Sequence, residues 1–351
     1  MAIKKIKNLF ENEVYAHRVL REMRLLRLLK GHNNIVELKT IMRPTNPKNF
    51  NDLNIVTEYC TQNLTNVIRF NAQTMNTDHI KYMIYEIAKG MLFMHSKGVI
   101  HRDMKPLNIL VNDNWDIKIS DFGQSNVQCG DINKDYNLTK YVTTRYYRAP
   151  ELYLNFESNY TAAVDMWSLG CIIAEFFNKT VFVKAGTTEE YLEFLISFLG
   201  MPSVEIQNKE IRNKNFLKYM QKRDPHIKRK TLKELIPTAP PLALDLISKL
   251  MSFDPNERIS ARDVLQHPFL EELYDPKNDD QIQEGEQINF YDFEFEQFSI
   301  NKDILRELIL DEIIMANSKE ARNINSQLRK KYKTGVLEII YERKDQEKKE
   351  E

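Results

Sequence analysis

Residues 165–177 read DMWSLGCIIAEFF, a helix-length run that is apolar on almost every side. A helix with no solvent face can only sit at the centre of a large domain, so this stretch demands a substantial core around it. The chain has 351 residues, enough for two lobes and such a core. A second helix is expected from Thr77 as N-cap, where Ile80, Ile84, Ile87 and Met91 form a long stripe. A stripe of Ile and Met at this spacing is core, not a cofactor box. Between Asn12 and Lys30, Val19, Met23, Leu26 and Leu29 share one helical face, interspersed with Arg18, Arg21 and Arg24. Residues 1–7, IVELKTIM (35–42) and LNIVTEY (53–59) read as strands, with a connector at Glu58-Tyr59-Cys60. The expected fold class is therefore α+β: a strand-bearing region over 1–60, a mostly helical region over 61–274, an acidic segment with a last amphipathic helix near Asp303–Met315 within 275–315, and a charged tail over 316–351.

Lys plus Arg and Asp plus Glu both number 50, so a net charge near zero gives no electrostatic case for nucleic acid or a membrane surface. No apolar run has the length of a transmembrane helix, and the N-terminus has no signal-peptide core. Cys60, Cys129 and Cys171 show neither metal-ligand nor paired spacing, which fits a reducing cytosol or nucleus. The expected location is cytoplasmic, with the nucleus as the alternative, and the expected state is monomeric.

The chemistry concentrates in His101-Arg102-Asp103-Met104-Lys105-Pro106-Leu107-Asn108, followed by Asp121-Phe122-Gly123. HRDMKPLN…DFG resembles the catalytic and metal-binding loops of eukaryotic protein kinases, and a tripeptide alone would carry little weight. The companion motifs stand in the required order: Ala2-Ile3-Lys4-Lys5, Glu22 in LREMRLL, Ala149-Pro150-Glu151, Asp165-Met166-Trp167-Ser168-Leu169-Gly170, and Arg258 in DPNERIS. The resemblance runs from Ala2 to about residue 315. It implies a bilobal protein kinase fold with a large, mostly helical C-lobe and a truncated small N-lobe that starts at the Lys-bearing strand.

Phosphoryl transfer needs a carboxylate to orient the nucleophile, a cation beside the transferring group, and metal ligands on the phosphates. By resemblance, Asp103 orients the attacking hydroxyl and Lys105 neutralises the phosphoryl charge. Asn108 and Asp121 hold Mg²⁺, and Lys4, paired with Glu22, holds the α- and β-phosphates of ATP. The Glu58 carbonyl and Cys60 amide meet adenine, with Thr57 as gatekeeper. Asp165 and the Glu151–Arg258 pair are expected to be architectural.

The segment 121–151 contains Thr139-Lys140-Tyr141 ahead of VTTRYYRAPE. It resembles the Thr-X-Tyr dual phosphorylation site of the mitogen-activated protein kinases. Each phosphate adds nearly two negative charges and can gather arginines. The resemblance assigns Arg145 and Arg148 to phosphotyrosine, and Arg18, Arg21 and Arg102 to phosphothreonine. Asn126 stands where many relatives carry an arginine, which removes roughly 1–3 kcal/mol of charge-assisted contact and implies weaker activation by phosphothreonine. FLEELYDPKNDD resembles the docking segment of the same group. There Asp275 and Asp279 are expected to bind basic docking peptides of protein substrates and of an upstream dual-specificity kinase.

None of the ten glycines forms G-x-G-x-x-G, and the strands that carry that loop in the family would precede Met1. The polypeptide as written is therefore expected to bind ATP poorly. Calorimetry tests this, and a low-micromolar constant for Mg-ATP would contradict it. Two functions stay open: an active serine/threonine kinase directed to Ser/Thr-Pro sites, and a catalytically impaired kinase-fold docking or scaffold protein. The cyclin-dependent group is disfavoured, because VLREMRLL has no PSTAIRE-like sequence.

Overall fold

The structure, a computed structural model, describes residues 1–70, 75–127, 145–154, 161–209, 211, 217–219, 229–279, 287–288, 292–297 and 301–317. The chain forms two compact units. The first comprises Met1–Gly31, Val36–Tyr59 and the described residues beyond 289; the second comprises His32–Ile35 and Cys60–Ile288.

In the first unit, strands β1 (Ala2–Ile6), β2 (Leu38–Ile41) and β3 (Leu53–Thr57) form an antiparallel sheet in the order β1-β3-β2. Lys4 lies opposite Ile55, and Ile6 opposite Leu53. Helix α1 (Glu13–Leu28) starts where the Asn12 side chain accepts the Tyr15 N–H, satisfying one orphan donor of the first turn. It buries Ala16, Val19, Leu20, Met23 and Leu26, and it packs on a C-terminal helix, Lys302–Asn317. The run at 35–42 suggested one strand, but the structure divides it. Ile35 makes a parallel bridge to Ile119 in the second unit, while β2 begins at Leu38 and its register shifts between Leu38 and Thr40.

The second unit opens with β4 (Gln62–Asn63), α2 (Leu64–Phe70) and α3 (Thr77–Ser96). Short strands follow: β5 (Val99–Ile100), β6 (Ile109–Val111), β7 (Ile117–Ile119) and β8 (Asn126–Val127). Then come α4 (Pro150–Leu154), α5 (Ala163–Asn178) and α6 (Thr188–Leu199). Helix α3 buries the expected stripe, Ile80, Ile84, Ile87 and Met91, but its cap is Asn76 rather than Thr77, in a reciprocal capping box with His79. Gly90 allows the closest approach along α3. A Cβ there would stand 2.9 Å from the Ile119 side chain and 3.1 Å from the Asn34 carbonyl. Helix α5 buries every residue from Val164 to Phe177, and Pro241–Leu250 packs against it. Each fully buried Leu, Ile or Phe there contributes about 1.5–3 kcal/mol. Among the described residues, no helix is long and apolar enough to cross a membrane.

His32 ties the start of the second unit to α3, stacking on Phe93 at 4.3 Å with its Nδ1 accepting the Asn34 N–H. Burial, helped by the Lys89 and Lys118 cations, pushes its imidazole down to about 4. A folded-state value below the unfolded one means that the neutral ring contributes in full above about pH 6.5. That contribution is lost as pH falls towards 4. Screening at a half-buried ring leaves roughly 1–2 kcal/mol of the effect. Urea midpoints at pH 7 and pH 4.5 should therefore differ more for the native protein than for His32→Gln.

Candidate active site

The β6–β7 hairpin assembles the site. Ile109 lies opposite Ile119 and Val111 opposite Ile117, so the residues flanking the hairpin's open end, Asn108 and Ser120, become neighbours. Both the Ser120 N–H (2.9 Å) and its hydroxyl (2.8 Å) donate to the Asn108 carbonyl. Residues separated by thirteen positions in sequence, Asn108 and Asp121, thus flank one seam.

Within the loop, the Asp103 carboxylate accepts from Lys105 Nζ at 2.6 Å and from Asn108 Nδ2 at 3.1 Å, both at Oδ2. Asn108 Nδ2 also donates to the Asp103 carbonyl at 2.8 Å. The amide nitrogen is thereby committed to Asp103, which leaves Asn108 Oδ1 as the oxygen this side chain can offer a cation. His101 is locked from several sides. Its Nδ1 accepts the Asp103 N–H, its Nε2 lies 2.9 Å from the Ser120 carbonyl and so carries the proton, and its ring meets Phe122 at 5.2 Å.

Beneath the loop sits Asp165 of α5, wholly buried. It accepts the backbone N–H groups of His101 and Arg102, both at 2.8 Å, and contacts His95 Nε2 at 2.9 Å. Burial alone would raise this carboxyl. The His95 hydrogen bond, the electrostatic pull of the His95 and His101 side chains and the His101 N–H outweigh burial and hold it below the ordinary carboxylate value. The anchor reaches one strained position directly, since Arg102 is left-handed at φ 67°; Asp121, beyond Ser120, is left-handed as well, at φ 64°. Non-glycine residues in that region cost on the order of 1–3 kcal/mol each and persist only where surrounding bonds hold them.

In the first unit, Lys4 Nζ donates to both Glu22 oxygens, at 2.7 and 2.8 Å. Lys4 is half exposed and Glu22 buried. The Glu58 carbonyl accepts the Thr57 hydroxyl at 3.1 Å, and the chain passes to the second unit between Tyr59 and Cys60. Arg18 and Arg21 lie on α1. Arg21 makes a two-pronged pair with Glu296, at 2.7 and 2.5 Å. Arg102 and Arg148 belong to the second unit, where the Arg148 carbonyl accepts from Tyr191 at 2.6 Å. Thr139, Tyr141 and the Arg145 side chain lie outside the described residues.

The docking expectation needs correction at Asp279. This residue is buried, and its carboxylate accepts from the Tyr85 hydroxyl and from the Asp275 N–H at 2.8 Å, so it braces the turn instead of facing a peptide. Asp275 is exposed, and its Oδ1 accepts the Lys277 N–H. The Glu151–Arg258 pair is buried and bidentate, at 2.7 and 2.8 Å.

Sequence reading missed the partners of the arginines on α1. Arg24 and Arg27 both bind Glu312, a fully buried carboxylate on the Lys302–Asn317 helix. The signal was present: Glu312 interrupts the apolar stripe Leu305, Leu308, Ile309, Ile313, and a charge on such a face requires a partner.

The donor set suits Mg²⁺. Among the described residues, no cluster of three or more His, Cys, Asp and Glu side chains could hold a metal. Asn108 and Asp121 could offer hard oxygens from two side chains, the small protein share that Mg²⁺ takes when phosphates and water complete its shell.

A protein kinase domain model matches residues 1–270. Mitogen-activated protein kinase 5 of Oryza sativa subsp. indica is 38% identical over 90% of this chain and 82% of its own length. Mitogen-activated protein kinase 6 of Arabidopsis thaliana is 39% identical over 90% of the chain and 76% of its own length. Mitogen-activated protein kinase 3 of the same plant is 37% identical over 90% and 82%.

Proposed function

The chain belongs to the mitogen-activated protein kinases, and from that premise we propose that it transfers the γ-phosphate of ATP to Ser or Thr hydroxyls followed by Pro in protein substrates. The observation that carries this reading is the Asp103 carboxylate, held at Oδ2 by Lys105 and Asn108, with Ser120, the residue before Asp121, bonded to the Asn108 carbonyl. With Oδ2 so engaged, Oδ1 is the acceptor assigned to the substrate hydroxyl. It orients the oxygen for attack and takes its proton.

Lys105 stays within reach of the same centre and offsets negative charge on the transferring group. Asn108 Oδ1 and the Asp121 carboxylate are the assigned ligands of Mg²⁺, which when bound neutralises phosphate charge. In the first unit, Lys4, steadied by Glu22, is assigned to the α- and β-phosphates, and the backbone of Glu58 and Cys60 to adenine. Asp165 pins the backbone amides of His101 and Arg102, so the strained position at Arg102 stays set before substrate arrives.

Activation is assigned to phosphorylation of Thr139 and Tyr141 by an upstream dual-specificity kinase, with Arg18, Arg21, Arg102, Arg145 and Arg148 as phosphate partners. Two observations favour a modest share for Thr139. Asn126 stands where an arginine would add a contact, and a phosphate would meet Arg21 only in competition with Glu296. Docking peptides of substrates and of the upstream kinase are assigned to the surface around Asp275. The enzyme is proposed to act as a monomer in the cytoplasm, with access to the nucleus.

Initial rates on paired peptides, Ser/Thr-Pro against Ser/Thr-Ala, test the reading with the doubly phosphorylated protein. Preference for the proline peptide is expected. Equal rates would remove proline direction, and no transfer to either would favour the docking or scaffold alternative.

A further inference from the structure

Four arginines recur at every third position along α1, Arg18, Arg21, Arg24 and Arg27, and the last three are met by acceptors from residues 292–312. Arg21 takes Glu296. Arg24 donates to Glu312 at 3.0 Å and to the Asp292 carbonyl, and its guanidinium lies 5.0 Å above the Phe295 ring. Arg27 donates to both oxygens of Glu312, one of them at 3.2 Å. His17 stacks on the same Phe295 at 5.9 Å. At 3.6 residues per turn, Arg24 and Arg27 occupy the flank of α1 opposite Glu22. The helix is therefore gripped from both sides, by Lys4 through Glu22 and by the C-terminal segment through the arginines.

We propose that Glu312 is a positioning residue for phosphoryl transfer, fixing the rotation of α1 through Arg24 and Arg27 so that Glu22 keeps Lys4 in place. This rests on the assignment of Lys4 to the nucleotide phosphates. Apolar packing alone would let α1 turn or slide with small penalties. A carboxylate shared between two planar guanidinium groups is directional, because each donor must stay in line with its oxygen. Glu312 is also buried, so a rotated α1 would leave its charge unpaired in a dry environment. Burial would raise this carboxyl, yet the two arginines hold it below the ordinary value, so it is charged at neutral pH. The second carboxylate, Glu296, sits on Arg21, one position before Glu22, and reinforces the same orientation from a less buried place.

The test is Glu312→Gln in the full chain, with two readouts. Steady-state kcat/KM for Mg-ATP should fall about tenfold, and the same change made in a Glu22→Gln background should add nothing further, since both act through one contact. Independently, acylation of the Lys4 amine, followed by mass spectrometry, should run several-fold faster in Glu312→Gln than in the native protein. Arg24→Gln, which leaves Arg27 on Glu312, should give intermediate values and serves if Glu312→Gln does not fold. Unchanged Lys4 reactivity, or losses that add in the double variant, would overturn the proposal. Should Lys4→Ala leave kcat/KM for Mg-ATP intact, the nucleotide assignment of Lys4 fails by itself, while the acylation arm still judges whether Glu312 sets the Lys4–Glu22 geometry.

Discussion

Asp103→Ala lowers the rate of phosphoryl transfer to a peptide hydroxyl about 10²- to 10⁴-fold, the usual contribution of a positioned general base. The change removes the acceptor for the hydroxyl proton and also the partner of Lys105, whose ammonium now sits at 2.6 Å from that carboxylate. The loop survives, because its shape is held from elsewhere. The amides of His101 and Arg102 remain on Asp165, and the Asn108 carbonyl remains bound by Ser120. The expected signature is therefore a loss in kcat with little change in KM for ATP and a near-native thermal midpoint. Asp103→Asn should behave similarly, since the amide keeps the volume but cannot take a proton. A variant that retains rates within a few-fold of native would remove Asp103 from the chemistry.

Arg258→Ala destabilises the second unit by roughly 3–5 kcal/mol, the cost of breaking a buried ion pair from one side. Arg258 and Glu151 are almost fully enclosed, and two parallel bonds join them. The same guanidinium also donates to the Ala163 and Ser252 carbonyls and lies 5.2 Å from the Trp167 ring. Truncation strands the Glu151 carboxylate in a dry site and leaves two carbonyls without their donor. Arg258→Lys should recover only part of the loss, because a single ammonium cannot reproduce the fork. Urea unfolding followed by tryptophan fluorescence reads this directly. A shift under about 1 kcal/mol would place the pair among the ion pairs that contribute little.

What could be read from sequence, and what could not, divides along contact distance. The stripe of α3 and the all-round apolar run of α5 were legible because each pattern reports burial within a single element. Asp103, Lys105, Asn108 and Asp121 were singled out by the resemblance of HRDMKPLN and DFG to kinase loops; the structure joins the first three by hydrogen bonds, and the β6–β7 hairpin sets Ser120, the residue before Asp121, against Asn108. The Asn76 cap was missed by one residue, since Asn and Thr are both good caps and only geometry chooses between them. The run at 35–42 misled because its apolar and β-prone residues continue unbroken past the boundary between two units, where Ile35 and Leu38 serve different sheets. Asp279 misled because the resemblance of FLEELYDPKNDD to a docking segment placed it on a peptide-binding surface, while its Tyr85 partner lies 194 positions away. Glu312 and Arg24, separated by 288 positions, could be flagged only as charges in need of partners, not matched to one another.

The central claim is that Asp103, Asn108 and Asp121 form one metal-assisted centre for phosphoryl transfer. The most direct measurement is transfer of phosphate from ATP to a Ser/Thr-Pro peptide across a Mg²⁺ titration, comparing the native protein with Asp121→Asn. The account predicts strictly Mg²⁺-dependent transfer in the native protein and its near-complete loss in the variant at every metal concentration. Transfer that proceeds without divalent metal, or that Asp121→Asn leaves unchanged, would contradict it.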